Sequence, residues 1–172
     1  METISTIESA TNLGITTVTI HPGVMSMSVP YMEERSISQA KKSLRSIDRI
    51  SEQYGVRVAV ENMPAFPFFL GQTVEEMKEL IDDTNLRFCL DIGHANTMGQ
   101  IEPLIAAFKD RLANVHIHDN HGERDEHLTL GEGGIDFKSV IPLLNGYRGN
   151  LIIESRSFPS AVDSQEFLKK LL

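Results

Sequence analysis

The sequence predicts an α/β fold: a partial (β/α)8 TIM barrel of five parallel strands with helices. Three observations predict it. Strand and helix patterns alternate through all 172 residues. Every strand has one apolar parity, while its other parity ends in a polar side chain. No repeat, low-complexity tract or linker divides the chain, so residues 1–172 read as a single domain.

The elements follow in order. Residues 2–13 look helical and stop at Gly14, a C′ glycine. ITTVTI (15–20) is β-branched and strand-like. Residues 36–54 give a long amphipathic helix with an apolar stripe of Ile37, Ala40, Leu44, Ile47 and Ile50, ending at Gly55. VRVAVE (56–61) is the next strand. TVEEMKELIDD (73–83) is a helix with Thr73 as N-cap and Glu76 at the capping-box position. RFCLD (87–91) is a strand, 100–111 a helix, NVHIHD (114–119) a strand, FKSVIPLL (137–144) a short helix and LIIES (151–155) a strand. A last helix covers 164–172.

Strands that alternate with helices pair in parallel through right-handed crossovers. Parity then separates an open sheet from a barrel. Ile20, Val60, Leu90, Val115, Ile117 and Ile153 share the apolar parity. The opposite parity carries Thr17, Thr19 and His21; Arg57, Ala59 and Glu61; Arg87, Cys89 and Asp91; His116 and His118; Ile152 and Glu154. A central strand of an open sheet is apolar on both faces. A barrel, in contrast, collects polar strand ends at its C-terminal mouth. A complete barrel takes about 250 residues, and five strands leave two free edges. Upstream strands, or self-association as a homo-oligomer, are expected to cover them.

Composition narrows the class of function. Sixteen basic and 24 acidic residues give a net charge of −8, which disfavours a nucleic-acid partner. No apolar run is long enough to span a membrane. METISTIESATNLG lacks the basic start of a secretory signal. The single cysteine, Cys89, excludes an intramolecular disulfide and agrees with a cytoplasmic location.

The chemistry gathers at the strand ends. His21, Glu61, Asp91, His116 and Glu154 share one inner surface by parity. His94 follows Asp91 by three residues, and the loop 119–135 supplies Asp125 and His127. Any one of these alone is more often a capping or hydrogen-bonding group. Five strands ending in ligand-type residues of one parity are a different matter. Their carboxylates would resist ionising together unless a cation lay among them. Imidazole and carboxylate without thiolate suit zinc or manganese. His118 reads as a supporting or structural residue and His121 as a solvated loop residue. Gly131, Gly133 and Gly134 read as turn glycines, since GEGG alone is a weak phosphate-loop signal. The aromatic loop PAFPFFL (64–70) either walls a pocket or clamps the barrel rim.

The segments TIHPG, VAVENMP, CLDIGHA, VHIHDN, RDEHLTLGEGGIDF and LIIES, in this order, resemble the xylose-isomerase-like superfamily of sugar isomerases, epimerases and endonuclease IV-like enzymes. The resemblance covers essentially the whole chain and implies strands 4–8 of the family barrel. It implies a central metal site at Glu61, Asp91, His116 and Glu154. It matches His21, His94, Asp125 and His127 to the extra ligands of the endonuclease IV branch, where three zinc ions bind. An earlier histidine of that cluster has no counterpart here. In the sugar branch one manganese-like ion is held, and His94 would contact substrate. One to three divalent ions are thus expected. The first functional expectation is a metal-dependent isomerase or epimerase of a sugar or sugar phosphate, with Glu61 and Glu154 as catalytic acid–base residues. The second is a phosphodiesterase acting at abasic DNA sites. The third is an inactive metal-binding barrel fragment.

Overall fold

The computed structural model describes residues 2–25 and 32–172. Five parallel strands form one sheet in the order β1-β2-β3-β4-β5. They are β1 Thr17–Ile20, β2 Arg57–Glu61, β3 Arg87–Asp91, β4 Leu112–Ile117 and β5 Leu151–Ile153. The helices are α1 Glu2–Asn12, α2 Met32–Tyr54, α3 Val74–Ile81, α4 Ile92–Thr97, α5 Ile101–Phe108, α6 Phe137–Leu143 and α7 Phe158–Lys169, with a 3-10 turn Lys109–Arg111 before β4. Among the described residues no helix is long and apolar enough to cross a membrane.

The sheet curls into half of a barrel. Asn114 Nδ2 of β4 donates to Thr19 Oγ1 of β1 at 3.1 Å. These strands are three places apart, which in a flat sheet is roughly 14 Å. Register carries the parity across the sheet. Glu61 pairs with Cys89 and Cys89 with Asn114, while Asp91 pairs with His116 and His116 with Ile152.

The apolar parity packs under the helices. Val58, Val60, Phe88, Leu90, Val115 and Ile117 are buried against Leu44, Met77, Ile81, Leu104, Phe108 and Phe137. Phe88 and Phe108 stack with centroids 4.6 Å apart. Each such side chain contributes about 1.5–3 kcal/mol on leaving water. This layer holds the sheet rigid, so the strand ends opposite it keep a fixed spacing.

Several boundaries, and one whole helix, differ from the sequence expectation. α2 begins at Met32, because Glu33 and Glu34 favour the positive N-terminus of a helix although they lie outside the apolar stripe. α4 was not expected. It is six residues long, too short to show a stripe, and Asp91 caps it by accepting from His94 N at 2.7 Å. The helix expected over 100–111 is α5 followed by the 3-10 turn, and β4 starts at Leu112. α7 starts at Phe158 rather than residue 164, capped by Ser157 and with a proline in its first turn. Phe158 is 81% exposed, which hides that turn from an apolar periodicity.

Candidate metal centre

Four strand ends converge. Glu61, Asp91, His116 and Glu154 each offer one ligand atom, and these atoms lie within 4.8 Å of one another. His116 Nδ1 is 2.8 Å from Glu61 Oε1 and 2.9 Å from Glu154 Oε1. Burial disfavours the charged ring, but its contacts with Cys89, Glu154 and Glu61 override this and raise its pKa. Burial likewise opposes ionisation of Glu61, yet hydrogen bonds from His116 and His21 hold its carboxyl at about 2. The His116 contact also lowers Glu154. The far nitrogen, Nε2, lies 3.2 Å from Asn114 Nδ2. Glu61, Asp91 and His116 are buried, whereas the Glu154 side chain is 31% exposed and faces the mouth.

A second group adjoins the first through Asp91. His94, His118, Asp125 and His127 also bring one ligand atom each within 4.8 Å. His94 Nδ1 lies 2.9 Å from the Asn62 carbonyl, so that nitrogen carries the proton and Nε2 points at Asp125 Oδ2, 3.5 Å away. Burial lowers the His94 pKa, but Asp125 and Asp91 outweigh it and bring it to about 9. Burial raises Asp125, and the surrounding histidines, His94 first, bring it down to about 2. His127 reaches this group with a left-handed backbone, φ 50°. Its ring stacks on His118 with centroids 4.0 Å apart. Asn62 ties the two groups together: its side chain donates to the Asp91 carbonyl and accepts from Asp91 N.

His21 lies beside the central group, with Nε2 3.3 Å from Glu61 Oε2, and its side chain is 64% exposed. It joins neither four-residue group. His121 is on the surface, paired with Glu126 at 2.9 Å. Sequence reasoning left out Asn62, Asn114 and Cys89 and set His118 aside as a supporting residue. Parity marked His118 and Cys89 as inward-facing. Asn114, two residues before His116, shares that parity, whereas for Asn62 the sequence carries no comparable signal.

The glycine loop has a different role from a phosphate cradle. Asp119 is fully buried and accepts hydrogen bonds from the backbone N–H groups of Asn120, Gly131, Gly133 and Ile135. An internal carboxylate takes the donors that an external anion would need. A Cβ at Gly133 would collide with that carboxylate, which accounts for one glycine. The aromatic loop is tied to the rim through Leu70 N to Gly23 O and Ala65 N to Thr97 Oγ1. Leu70 is buried, while Phe66 and Phe68 remain exposed near the mouth.

A divalent cation fits these residues. Asp91 Oδ2, Asp125 Oδ1 and both ring nitrogens of His118 are buried without a hydrogen-bond partner. Such groups cost about 1–3 kcal/mol each unless something binds them. They are carboxylate oxygens and imidazole nitrogens, the donor types that zinc and manganese take.

A family model described as xylose isomerase-like TIM barrel matches residues 2–171. The uncharacterised protein MJ1311 of Methanocaldococcus jannaschii is 39% identical over 182 residues, covering 96% of this chain and 59% of that protein. Inosose dehydratase of Salmonella typhimurium is 26% identical over 171 residues, covering 81% of this chain and 55% of the other. A protein named "Probable endonuclease 4" from Acholeplasma laidlawii is 25% identical over 150 residues, covering 77% and 50%. The crystal structure of a D-tagatose 3-epimerase-like protein superposes with a TM-score of 0.94 at 36% identity, over 98% of this chain and 66% of that one. The fold is shared with the IolI protein, whose structure is described as binding a zinc atom, at a TM-score of 0.81 and 21% identity, covering 99% of this chain and 67% of that one. The chain spans between half and three fifths of these three curated relatives.

Proposed function

Because the chain belongs to the xylose isomerase-like TIM-barrel family, we propose that it serves metal-dependent isomerisation or epimerisation of a sugar or sugar phosphate. The observation that carries this reading is the meeting of Glu61, Asp91, His116 and Glu154 within 4.8 Å, with two carboxylates on one imidazole nitrogen. These four residues would hold a divalent ion, zinc or manganese by donor type. Such an ion polarises a ketose carbonyl and acidifies the neighbouring C–H.

The chain's own groups do the rest. Glu61 and Glu154 have lowered pKa values and are ionised at neutral pH, so either can accept a proton from carbon. They come from the end of β2 and the residue after β5, strands three places apart in the sheet. One takes the proton from one face of the substrate carbon and the other returns a proton to the opposite face. Glu154 is the more exposed of the two and lies closer to an entering substrate. His94, at about 9 in the metal-free protein, carries a proton there at neutral pH and, where no ion takes its Nε2, is suited to donate to a substrate hydroxyl. Phe66 and Phe68 supply an apolar rim that limits water.

The test is deuterium exchange. A panel of ketoses in deuterated water with manganese or zinc should incorporate deuterium beside the carbonyl, read by NMR. Glu154→Gln should abolish it. Absence of exchange with every ketose, in protein shown to hold the ion, would remove this reading.

The second group of ligands supports an alternative. Phosphodiester hydrolysis at abasic sites uses clustered metals to activate water and stabilise the leaving oxygen, and Asp91 lies between two candidate sites. Catalytic nicking of an abasic-site duplex would reverse the order of the two readings.

A further inference from the structure

We infer that His118 is a positioning residue for the metal centre: its Nε2–H steadies Asp91 through Oδ1 and so keeps Oδ2 free for the ion. The inference rests on the metal-dependent reading above and gives His118 a role without contact to any ion. The two oxygens of Asp91 have unlike surroundings. Oδ1 accepts from His94 N at 2.7 Å and lies 3.2 Å from His118 Nε2. Oδ2 is buried and has no hydrogen-bond partner among the described residues. The terminal torsion of an aspartate is broad, so its rotamer alone does not fix where the oxygens point. Two contacts on one oxygen do. Asp91 and His118 are both fully buried, so bulk water does not compete for them.

The surroundings place the ring proton of His118 on Nε2. That nitrogen lies 3.4 Å from Asp125 Oδ1 as well as 3.2 Å from Asp91 Oδ1. Bare, it would set its lone pair against two carboxylate oxygens. Shared between two acceptors, its N–H makes two long contacts instead of one aligned bond. Nδ1 has no partner among the described residues. As with backbone groups, an orphan acceptor there is tolerated more often than an orphan N–H.

The ring is also held by packing. It stacks on His127 with centroids 4.0 Å apart and planes 19° from parallel. Such stacking lays the two rings side by side and does not converge their nitrogens on one ion. Gly93 makes room for the ring, since a Cβ there would overlap it. Gly93 stands in the first turn of α4, the helix that Asp91 caps. His118 thus packs against the turn whose cap it steadies. The chain at the end of β4 supplies both parts: His116 as a proposed ligand and, two residues on at the same parity, the side chain that orients its neighbour.

Manganese titration of metal-free wild type, His118→Gln and His118→Leu by calorimetry tests this. The central ion is the one lost in Glu154→Gln. His118→Leu has no donor and should weaken that ion by roughly 10- to 100-fold, as loss of an outer hydrogen-bond partner does. His118→Gln puts an amide N–H near the place of Nε2 and should recover most of that loss, with thermal unfolding in a chelator showing both variants folded. Wild-type affinity in His118→Leu would overturn the inference. Equal losses in the two variants would overturn it as well, because packing alone would then account for them. So would one ion fewer in both variants with the central ion unchanged, since His118 would then be a ligand elsewhere. In each of these cases the proposed function stands. No ion in wild type would overturn both. Should His118→Leu fail to fold, nitrogen-15 NMR of the metal-free wild type decides. A protonated Nε2 on His118 supports the inference, and a bare Nε2 refutes it.

Discussion

Gly93→Ala should destabilise the protein, and only while His118 is present. At most early helix positions alanine is as good as glycine or better, by up to about 1 kcal/mol. Here the new methyl would overlap the ring of a fully buried side chain. The ring would have to retreat by an ångström or more to restore contact near 3.5 Å. Behind it stand His127, stacked at 4.0 Å, and Asp91, 3.2 Å from Nε2. Overpacking of this kind costs about 1–3 kcal/mol. We expect a net loss near 2 kcal/mol, which for a chain of this size lowers Tm by roughly 4–8 °C. Urea and thermal unfolding in a metal chelator measure the packing term free of any ion. A double-mutant cycle isolates its cause. In a His118→Ala background the same glycine substitution should cost almost nothing. Equal stability of Gly93→Ala and wild type, or equal loss with and without His118, would refute the reasoning.

Three further outcomes follow from the same geometry. Asp119→Asn keeps one oxygen for two of the four backbone donors but turns amide hydrogens against the other two, and should cost about 2–4 kcal/mol in urea unfolding. An unchanged midpoint would show that the carboxylate does not hold the loop. Metal binding should release protons, because His94, raised to about 9, is protonated at neutral pH and an ion needs its bare Nε2. Affinity should therefore climb from pH 6 to 9, and calorimetry in buffers of different ionisation enthalpy should register the protons. The metal-free protein should show the opposite trend from this residue. A raised histidine pKa adds stability below the unfolded value of 6.5, and that stability fades as pH rises through about 9. Cys89 is buried and its thiol is pushed up by burial, so a disulfide reagent should react with it only at the rate of unfolding. Fast reaction in native buffer would contradict its position under the site.

Much of this architecture is written in strand parity. Alternation along VRVAVE, RFCLD and NVHIHD already assigns Val60, Leu90 and Val115 to the helix side and Glu61, Asp91 and His116 to the mouth. The register across the sheet keeps those assignments. Helix α4 escapes that logic, because Asp91 ends a strand and caps a helix at once, and a six-residue helix is too short for a period. His118 shows the same limit. Its parity was correct, but whether a buried ring has partners is a matter of three-dimensional satisfaction. The clue lies at Gly93, 25 residues away, and only the fold brings the two together. The contacts of Asn62 and Asn114 were invisible for the same reason, although Asn114 has the parity of His116. Each earns its place through a contact between strands.

The most direct measurement is anomalous diffraction from crystals soaked in zinc or manganese. A peak within about 2.0–2.3 Å of Glu61, Asp91, His116 Nδ1 and Glu154 is predicted. Density for the metal elsewhere, with none within bonding distance of those four side chains, would contradict the account.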